Sequence, residues 1–165
     1  MVAPAQQITI RHYVPEDLDR LIELLRELQA HEQVFEPRMK PPEALGADYF
    51  DGLLDDMKSQ GGAILIAENR SIACGYAVYL THVPNDDEDE IDYTYAYVSD
   101  VAVTAEARGR GVGRMLLDAC ERGAREAGAQ VLRISVLSQN ERAIGLYRSF
   151  GFSDRVTELE KRLNE

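Results

Sequence analysis

The spacing of hydrophobic residues changes from segment to segment along the chain. Residues 8–11 form a short β-prone stretch, and residues 15–17 begin a helix, since acidic side chains are favourable in a first turn. In this helix apolar residues recur every three or four positions and share one face: Leu18, Leu21, Ile22, Leu25 and Leu28. Prolines then predict a loop over residues 35–42, and a second helix is predicted over residues 44–57.

Beyond residue 60 the pattern predicts strands that alternate with helices. Residues 63–68 and 73–82 are predicted strands, and Asn69-Arg70-Ser71 between them is typical of a hairpin turn. The elements predicted after them are a long strand over 91–103, a helix over 113–127, a strand over 131–137, a helix over 140–150 and a final strand over 152–160. The predicted order is β-α-α-β-β-β-α-β-α-β, which indicates a single α/β domain over residues 1–165 with a mixed sheet.

The composition is that of one folded domain: 165 residues, of which 45% are hydrophobic and 28% charged. No apolar run approaches the roughly 20 residues of a membrane-spanning helix, and residues 1–7 lack the basic and apolar regions of a signal peptide. Cys74 and Cys120 are too few for a disulfide framework, so we predict two small buried side chains. We therefore expect a cytoplasmic protein without membrane contacts.

The negative charge is concentrated in the first part of the chain. Residues 1–100 carry a net charge of −13 and residues 101–165 a net charge of +2. This balance argues against nucleic-acid binding, which requires a basic face, and is compatible with a cationic partner. The acidic loop over residues 82–92 can attract a polyamine, an aminoglycoside or a lysine-rich peptide, or can simply be a solvated loop. The tyrosines that follow it, at positions 93, 95 and 97, can line an amine pocket or pack as a half-buried strand.

A glycine- and arginine-rich segment, Arg108-Gly109-Arg110-Gly111-Val112-Gly113-Arg114, joins the long strand to the next helix. A strand, a glycine-rich turn and a helix N-terminus together present free backbone N–H groups, which favours a phosphate ligand. The segment is not a P-loop, because Arg114-Met115 stands where that motif has Lys-Ser/Thr, and it lacks the sixth-position glycine of a dinucleotide fingerprint. A solvent-exposed turn is the alternative interpretation.

Two motifs together resemble the GNAT N-acetyltransferase superfamily. The first is Arg108-x-x-Gly111-x-Gly113 after the strand Val98-Ser99-Asp100-Val101-Ala102-Val103, and it is similar to the acetyl-CoA motif of that family. The second is similar to the family's later signature: Asn140, Ala143, Leu146-Tyr147 and Phe150-Gly151-Phe152. The resemblance covers about residues 8–160. It implies the GNAT fold, with a mixed central sheet of about six or seven strands flanked by about four helices.

The resemblance also implies acetyl-CoA as co-substrate and assigns residues to its binding. Backbone N–H groups of Arg108, Gly109, Arg110, Gly111, Val112, Gly113 and Arg114 would hold the pyrophosphate. The strand edge at Val101, Ala102 and Val103 would pair with the pantetheine amides, and an N–H near Val101 would face the thioester carbonyl. Asn140 would hydrogen-bond the pantetheine arm, and Tyr147 would lie beside the sulfur.

Tyr147 and Asp100 are the predicted catalytic residues. A tyrosine stays protonated at neutral pH and can donate a proton to the departing thiolate. Asp100 is the first candidate for the base that deprotonates the amine, acting through water that Ser99 or Tyr97 can also carry. Family members commonly place a glutamate in this stretch, and this chain has none between Ile91 and Thr104. No residue group has metal-ligand spacing, so no metal is expected.

The first two helices, the loop between them and the acidic loop would form the acceptor side, with His31 and Glu32 in the segment that covers it. Three functions stay open. The first is an N-acetyltransferase for a small primary amine such as a polyamine or aminoglycoside. The second is a protein or peptide N-acetyltransferase, and the third a non-catalytic acyl-CoA sensor. The resemblance also implies a possible homodimer.

Overall fold

The computed structural model describes residues 8–163, and within them five strands form one mixed sheet. The strands are β1 (Ile8–His12), β2 (Ala63–Asn69), β3 (Ile72–Pro84), β4 (Thr94–Val103) and β5 (Leu132–Ile134). They lie side by side in chain order, with β1 to β4 antiparallel and β5 parallel to β4. The hairpin predicted between β2 and β3 is confirmed, since Arg70 and Ser71 both have positive φ.

Four α-helices in this part of the chain cover the two faces of the sheet. They are α1 (Leu18–Gln33), α2 (Ala47–Gln60), α3 (Val112–Glu126) and α4 (Glu141–Phe150). The predicted apolar face of α1 is confirmed, because Leu21, Leu24 and Leu25 are buried with Phe50 of α2 against the sheet. On the opposite face, Leu116, Leu117 and Cys120 of α3 pack against Tyr79 and Val98. Cys74 and Cys120 are both buried, as predicted.

A β-bulge at Ser99 determines which face each end of β4 presents. Asp100 is opposite Val78 and Val98 is opposite Tyr79, so Ser99 is one residue more than β3 can pair. Side chains two apart on a regular strand share a face. Here Val98 packs on the α3 side, whereas Asp100 contacts tyrosines on the α1–α2 side. The bulge therefore turns Asp100 toward the first two helices.

The predicted strand over residues 152–160 is wrong: residues 152–163 have no regular secondary structure, and the described sheet has five strands instead of six or seven. Phe152 packs onto the core, but Val156, Leu159 and Leu163 are 72%, 90% and 86% exposed. The segment makes side-chain ion pairs from Arg155 to Glu90 and from Glu160 to Arg38. An alternating sequence forms a strand only beside a partner strand, and this segment has none in the described part of the chain.

The other element predictions differ from the structure mainly at their ends. The strand predicted over 131–137 shortens to Leu132–Ile134, and the one predicted over 91–103 begins at Thr94. The second helix begins at Ala47, after a 3₁₀ turn at Pro42–Ala44. Every helix between residues 8 and 163 is too short or too polar to span a lipid bilayer.

Candidate active site

The parallel strands β4 and β5 are paired over only three residues and then diverge. The paired residues are Ala96–Leu132, Tyr97–Arg133 and Val98–Ile134. Beyond Val98, no described strand pairs with β4 on that side. On its other side β4 stays paired with β3 as far as Val103. The backbone edge of residues 101–103 is therefore left facing a gap, as the family resemblance implies for this strand.

A cavity of about 360 Å³ lies at this gap, between α1, β4, the glycine-rich segment and α4. It brings together residues that are far apart in the sequence. The predicted cofactor residues on its wall are Val101, Ala102, Val103, Arg108, Gly109, Gly111, Val112, Gly113, Arg114 and Asn140. Tyr147 is on the same wall, whereas Arg110 and Asp100 are not. Most of the site residues predicted from the sequence thus lie on one continuous surface.

The glycine-rich segment has the conformation of an anion-binding loop. Gly109 and Gly111 adopt φ angles of 74° and 80°, a region that disfavours side chains with a Cβ. The first hydrogen bond of α3 runs from the Met115 N–H to the Gly111 carbonyl at 3.0 Å. The preceding amides, at residues 112–114, have no acceptor within the helix and line the cavity. They can donate to a phosphate at the positive end of the helix dipole.

Gly113, the third glycine of the segment, has a different role. A Cβ there would lie 3.1 Å from Cδ2 of Leu146. This glycine therefore lets the start of α3 approach α4, the helix that carries Tyr147. The short distance between the two helices brings the glycine-rich segment and the residues of the second motif to one cavity.

The side chains of Arg108 and Arg114 contact neighbouring elements. The Arg108 guanidinium donates to the Val103 carbonyl at 3.0 Å, and Arg114 lies 5.3 Å from the centre of the Phe150 ring. Arg142 of α4 also lines the cavity, although it matches no motif position in the sequence. Burial and the charges of Arg108 and Arg142 lower the pKa of His31 below its usual value. This part of the cavity is positively charged, which suits a phosphate ligand.

Asn140 caps α4 at the edge of the cavity. Its Oδ1 accepts a hydrogen bond from the Ala143 N–H at 3.2 Å, and the residue is 8% exposed. Because this contact uses the side-chain oxygen, the amide NH₂ is the group that can donate to a ligand. The structure thus gives this residue a helix-capping role besides the cofactor role that the resemblance implies.

Tyr147 lies on α4 with its ring 6.0 Å from that of Phe152, in an edge-to-face arrangement. Burial, together with the negative charges of Glu32 and Asp100, raises the pKa of Tyr147 to about 12. Its hydroxyl is consequently protonated at neutral pH and can act as a hydrogen-bond donor in the cavity.

Asp100 is buried behind the cavity wall, with 7% of its surface exposed. Tyr49 of α2 donates to both of its carboxylate oxygens, at 2.8 and 3.1 Å, and Tyr76 of β3 donates to Oδ2 at 3.3 Å. Burial raises the pKa of Asp100 to about 6, although these hydrogen bonds act in the opposite direction. The neighbouring Ser99 hydroxyl is buried without a hydrogen-bond partner in the described part of the chain.

Glu32, in the last turn of α1, is a carboxylate on the cavity wall itself. Burial and the charge of Asp100 raise its pKa above the usual value. The sequence places it near the acceptor side, but no motif marks it as a site residue. Only the fold shows that it lines the same cavity as Tyr147.

The alternating tyrosines of β4, at positions 93, 95 and 97, form a row that contacts Arg133 of β5. The Arg133 guanidinium lies 3.9 Å from the centre of the Tyr95 ring and 5.3 Å from that of Tyr93, and it donates to the Tyr93 hydroxyl. The Tyr97 hydroxyl donates to Ser135 at 3.0 Å. The row thus packs against β5 as a half-buried strand surface, the second of the two interpretations that the sequence allowed.

The acidic loop is partly neutralised by the C-terminal segment. Arg155 pairs with Glu90 at 2.8 Å and with Asp87 at 3.3 Å, and Glu90 also accepts from Tyr93. Within residues 8–163 there is no group of three or more His, Cys, Asp or Glu side chains that could hold a metal ion.

The sequence matches a known protein family. Residues 20–152 match the family model described as Acetyltransferase (GNAT) family. The chain is 28% identical over 159 residues to a thialysine N-epsilon-acetyltransferase of Bos taurus, covering 93% of this chain and 88% of the relative. It is also 28% identical over 151 residues to the D-amino-acid N-acetyltransferase HPA3 of Saccharomyces cerevisiae, covering 91% and 88% of the two chains.

A solved structure shares the fold at lower identity. The aminoglycoside N-acetyltransferase AAC(6')-Iy in complex with CoA superposes with a TM-score of 0.68 at 21% identity, over 98% of this chain and 99% of the other. At this identity the similarity concerns the fold alone.

Proposed function

Because the chain belongs to the acetyltransferase (GNAT) family and is an acetyl-CoA-dependent N-acetyltransferase, we propose that its acceptor is the primary amine of a small cationic molecule. The observation that carries the proposal is the single cavity that joins the phosphate-binding loop, Tyr147 and the carboxylate of Glu32. The relatives are named for thialysine and D-amino acids, and the structural neighbour for aminoglycosides, all of them small amines. A polyamine or an aminoglycoside fits the negative charge on the acceptor side.

Three groups of residues would hold the co-substrate. The amides of residues 112–114, with Arg108 and Arg142 nearby, would bind the pyrophosphate. The edge of residues 101–103, where the Val103 carbonyl accepts from Arg108, would pair with the pantetheine amides as an additional strand. The side-chain NH₂ of Asn140 would donate to the same arm. These contacts would place the thioester carbonyl near the Val101 N–H, which would stabilise the negative charge that develops on the carbonyl oxygen.

Direct transfer then needs an acid and a base. Tyr147 would donate its phenolic proton as the C–S bond breaks, which its protonated state at neutral pH allows. The ammonium group of the acceptor must lose a proton before its nitrogen can attack. Asp100, the base that the sequence predicts, is not on the cavity wall and could take this proton only through water. The buried Ser99 hydroxyl without a partner would be a suitable ligand for that water.

The release of CoA thiol from acetyl-CoA, measured against a panel of amines, tests the proposal. The panel contains spermidine, kanamycin, thialysine, D- and L-amino acids, and peptides with a free lysine or N-terminus. We expect turnover with a small amine, and a loss of about 100-fold or more in kcat for Tyr147→Phe, while its affinity for CoA is unchanged. Turnover with peptides alone would favour a protein acetyltransferase. Tight acetyl-CoA binding without turnover by any amine would favour an acyl-CoA sensor.

A homodimer in the cytoplasm is part of the same proposal. It is supported by the family resemblance, and sedimentation of the full chain across a concentration range tests the dimer. A single species of about 18.5 kDa would contradict it.

A further inference from the structure

We infer that Glu32 is the carboxylate that binds the acceptor ammonium group and takes its first proton, an assignment that rests on the acetyl transfer proposed above. The carboxylate belongs to the last turn of α1 and lines the cavity together with Tyr147 and Val101. These are the residues proposed to donate the proton to sulfur and to stabilise the carbonyl oxygen. Glu32 is thus on the same surface as the reacting groups.

The Glu32 carboxylate makes no hydrogen bond or ion pair with any residue that the structure describes. Other half-buried carboxylates of the protein do have such partners: Asp17 and Glu68 both pair with Arg11, at 2.7 and 2.6 Å. Glu27, the other glutamate on the cavity wall, lies 4.0 Å from Arg20. A partly buried carboxylate without a partner is costly, and an ammonium group that enters the cavity would supply the missing positive charge.

Asp100 is placed to assist Glu32 and not to contact the acceptor. Tyr49 and Tyr76 occupy both of its oxygens, and it lies behind the wall. Its negative charge makes Glu32 hold a proton more strongly, which makes Glu32 a better base. The other titratable groups around the two carboxylates are the tyrosines Tyr49, Tyr76, Tyr97 and Tyr147. The imidazole of His31 and the guanidinium groups of Arg108 and Arg142 line the same cavity. Asp100 is in this assignment a positioning residue.

The proton balance of the reaction is complete with these groups. The ammonium R–NH₃⁺ gives one proton to the Glu32 carboxylate, which later releases it to solvent. The neutral amine attacks the thioester carbon, so that a C–N bond forms and the C–S bond breaks. The leaving thiolate takes a proton from Tyr147, and Tyr147 regains one from the nitrogen of the newly formed amide, which still carries the second ammonium proton. The products are the amide, CoA thiol and one proton.

Glu32→Gln is the test, with Glu23→Gln as the matched control, because Glu23 is on the same helix but pairs with Arg20 outside the cavity. The acceptor is whichever of spermidine, kanamycin and thialysine the wild type acetylates fastest. We expect Glu32→Gln to lower kcat/KM for this amine about 100-fold or more, with the Kd for acetyl-CoA unchanged. Binding of the same three amines, measured by calorimetry, should weaken in Glu32→Gln and not in Glu23→Gln.

The pH profile separates the two carboxylates. In the wild type, kcat/KM should rise as Glu32 loses its proton, whereas in Glu32→Gln it should follow the ionisation of the amine alone. Asp100→Asn should move the acidic limb of the profile to lower pH, because Glu32 then loses a neighbouring negative charge. Glu32→Asp should restore part of the rate.

Some outcomes overturn the assignment while the proposed function survives. One is that Glu32→Gln behaves like Glu23→Gln while Tyr147→Phe loses turnover. Another is that Asp100→Asn, and not Glu32→Gln, removes the acidic limb, which would make Asp100 the base through water. If the wild type acetylated no amine, the proposed function would fail, and loss of amine binding in Glu32→Gln would still support the ammonium site. A wild type that bound none of the three amines would overturn that site as well.

Discussion

The hydroxyl group of Tyr49 donates hydrogen bonds to both carboxylate oxygens of Asp100, at 2.8 and 3.1 Å. The contact joins α2 to the bulged part of β4 and fixes the buried carboxylate next to the cavity. It stabilises the ionised form of Asp100, yet burial has the larger effect and raises the pKa of this group to about 6. Asp100 therefore changes its charge in the range between weakly acidic and neutral pH.

The shifted pKa makes the contribution of Asp100 to stability depend on pH. Its folded-state pKa of about 6 is above the unfolded value of 3.8, so the folded protein binds more protons between these values. The stability that comes from this group is present below pH 4 and is lost as the pH rises through 6. The shift corresponds to a loss of about 3 kcal/mol.

Asp100→Asn should remove this dependence. We expect the free energy of unfolding of the variant, relative to wild type, to increase by about 2 kcal/mol between pH 4.5 and pH 7.5. Urea unfolding of both proteins at several pH values measures the difference, in which the titrations common to both cancel. A constant difference would mean that the Asp100 carboxylate is solvated and has its ordinary pKa.

Tyr49→Phe isolates the hydrogen bonds from the burial. Because the phenol stabilises the charged carboxylate, its removal should raise the pKa of Asp100 further, and that of Tyr147 should be little changed. Titration of the Asp100 carboxylate by NMR in both proteins measures the shift. A fall in the pKa would show that water enters the space and solvates the carboxylate more than the phenol did.

Much of the site could be predicted because it lies in contiguous motifs. The segment from Arg108 to Arg114 could be predicted because a strand, a turn and a helix N-terminus have nearly fixed local geometry. Its residues other than Arg110 line one cavity with Asn140 and Tyr147, which come from the second motif. Glu32 could not be assigned in this way. It reaches the cavity through the packing of α1 on the sheet, which depends on contacts between residues far apart in the chain.

Two structural features could not be predicted from the sequence: the orientation of Asp100, and the absence of a strand over residues 152–160. Alternation along β4 correctly indicates which side chains are buried, but the extra residue at Ser99 reverses the face that Asp100 presents. Such a bulge depends on pairing with β3 and has no residue type that marks it. The final segment alternates like a strand, but local preference is too weak to form one without a neighbouring strand.

Gly111→Glu tests the phosphate loop, with Gly128→Glu as its control. Both glycines have a φ near +80° and free space at the Cβ position, so both variants should lose about 1–2 kcal/mol from backbone strain. Only Gly111 lines the cavity, and a carboxylate there would repel the phosphates. We expect CoA binding by calorimetry to be abolished in Gly111→Glu and retained in Gly128→Glu. Normal CoA binding by both variants would show that the loop does not hold the pyrophosphate.

Gly123→Ala tests the packing of α3 against β3, the strand that pairs with β4. A Cβ at Gly123 would overlap the Tyr79 hydroxyl oxygen and lie 2.6 Å from its ring, so the buried tyrosine on β3 would have to move. Overpacking of this kind costs about 1–3 kcal/mol, against a gain of about 1 kcal/mol in helix propensity.

Gly145→Ala is the matched change, because that helical glycine on α4 has open space at its Cβ position. It should stabilise the protein by about 1 kcal/mol, whereas Gly123→Ala should destabilise it. Thermal unfolding of the two variants gives the sign directly. If both variants were stabilised, Tyr79 would have to leave the space beside Gly123 at little cost, and the packing of α3 on β3 would tolerate a larger side chain at this position.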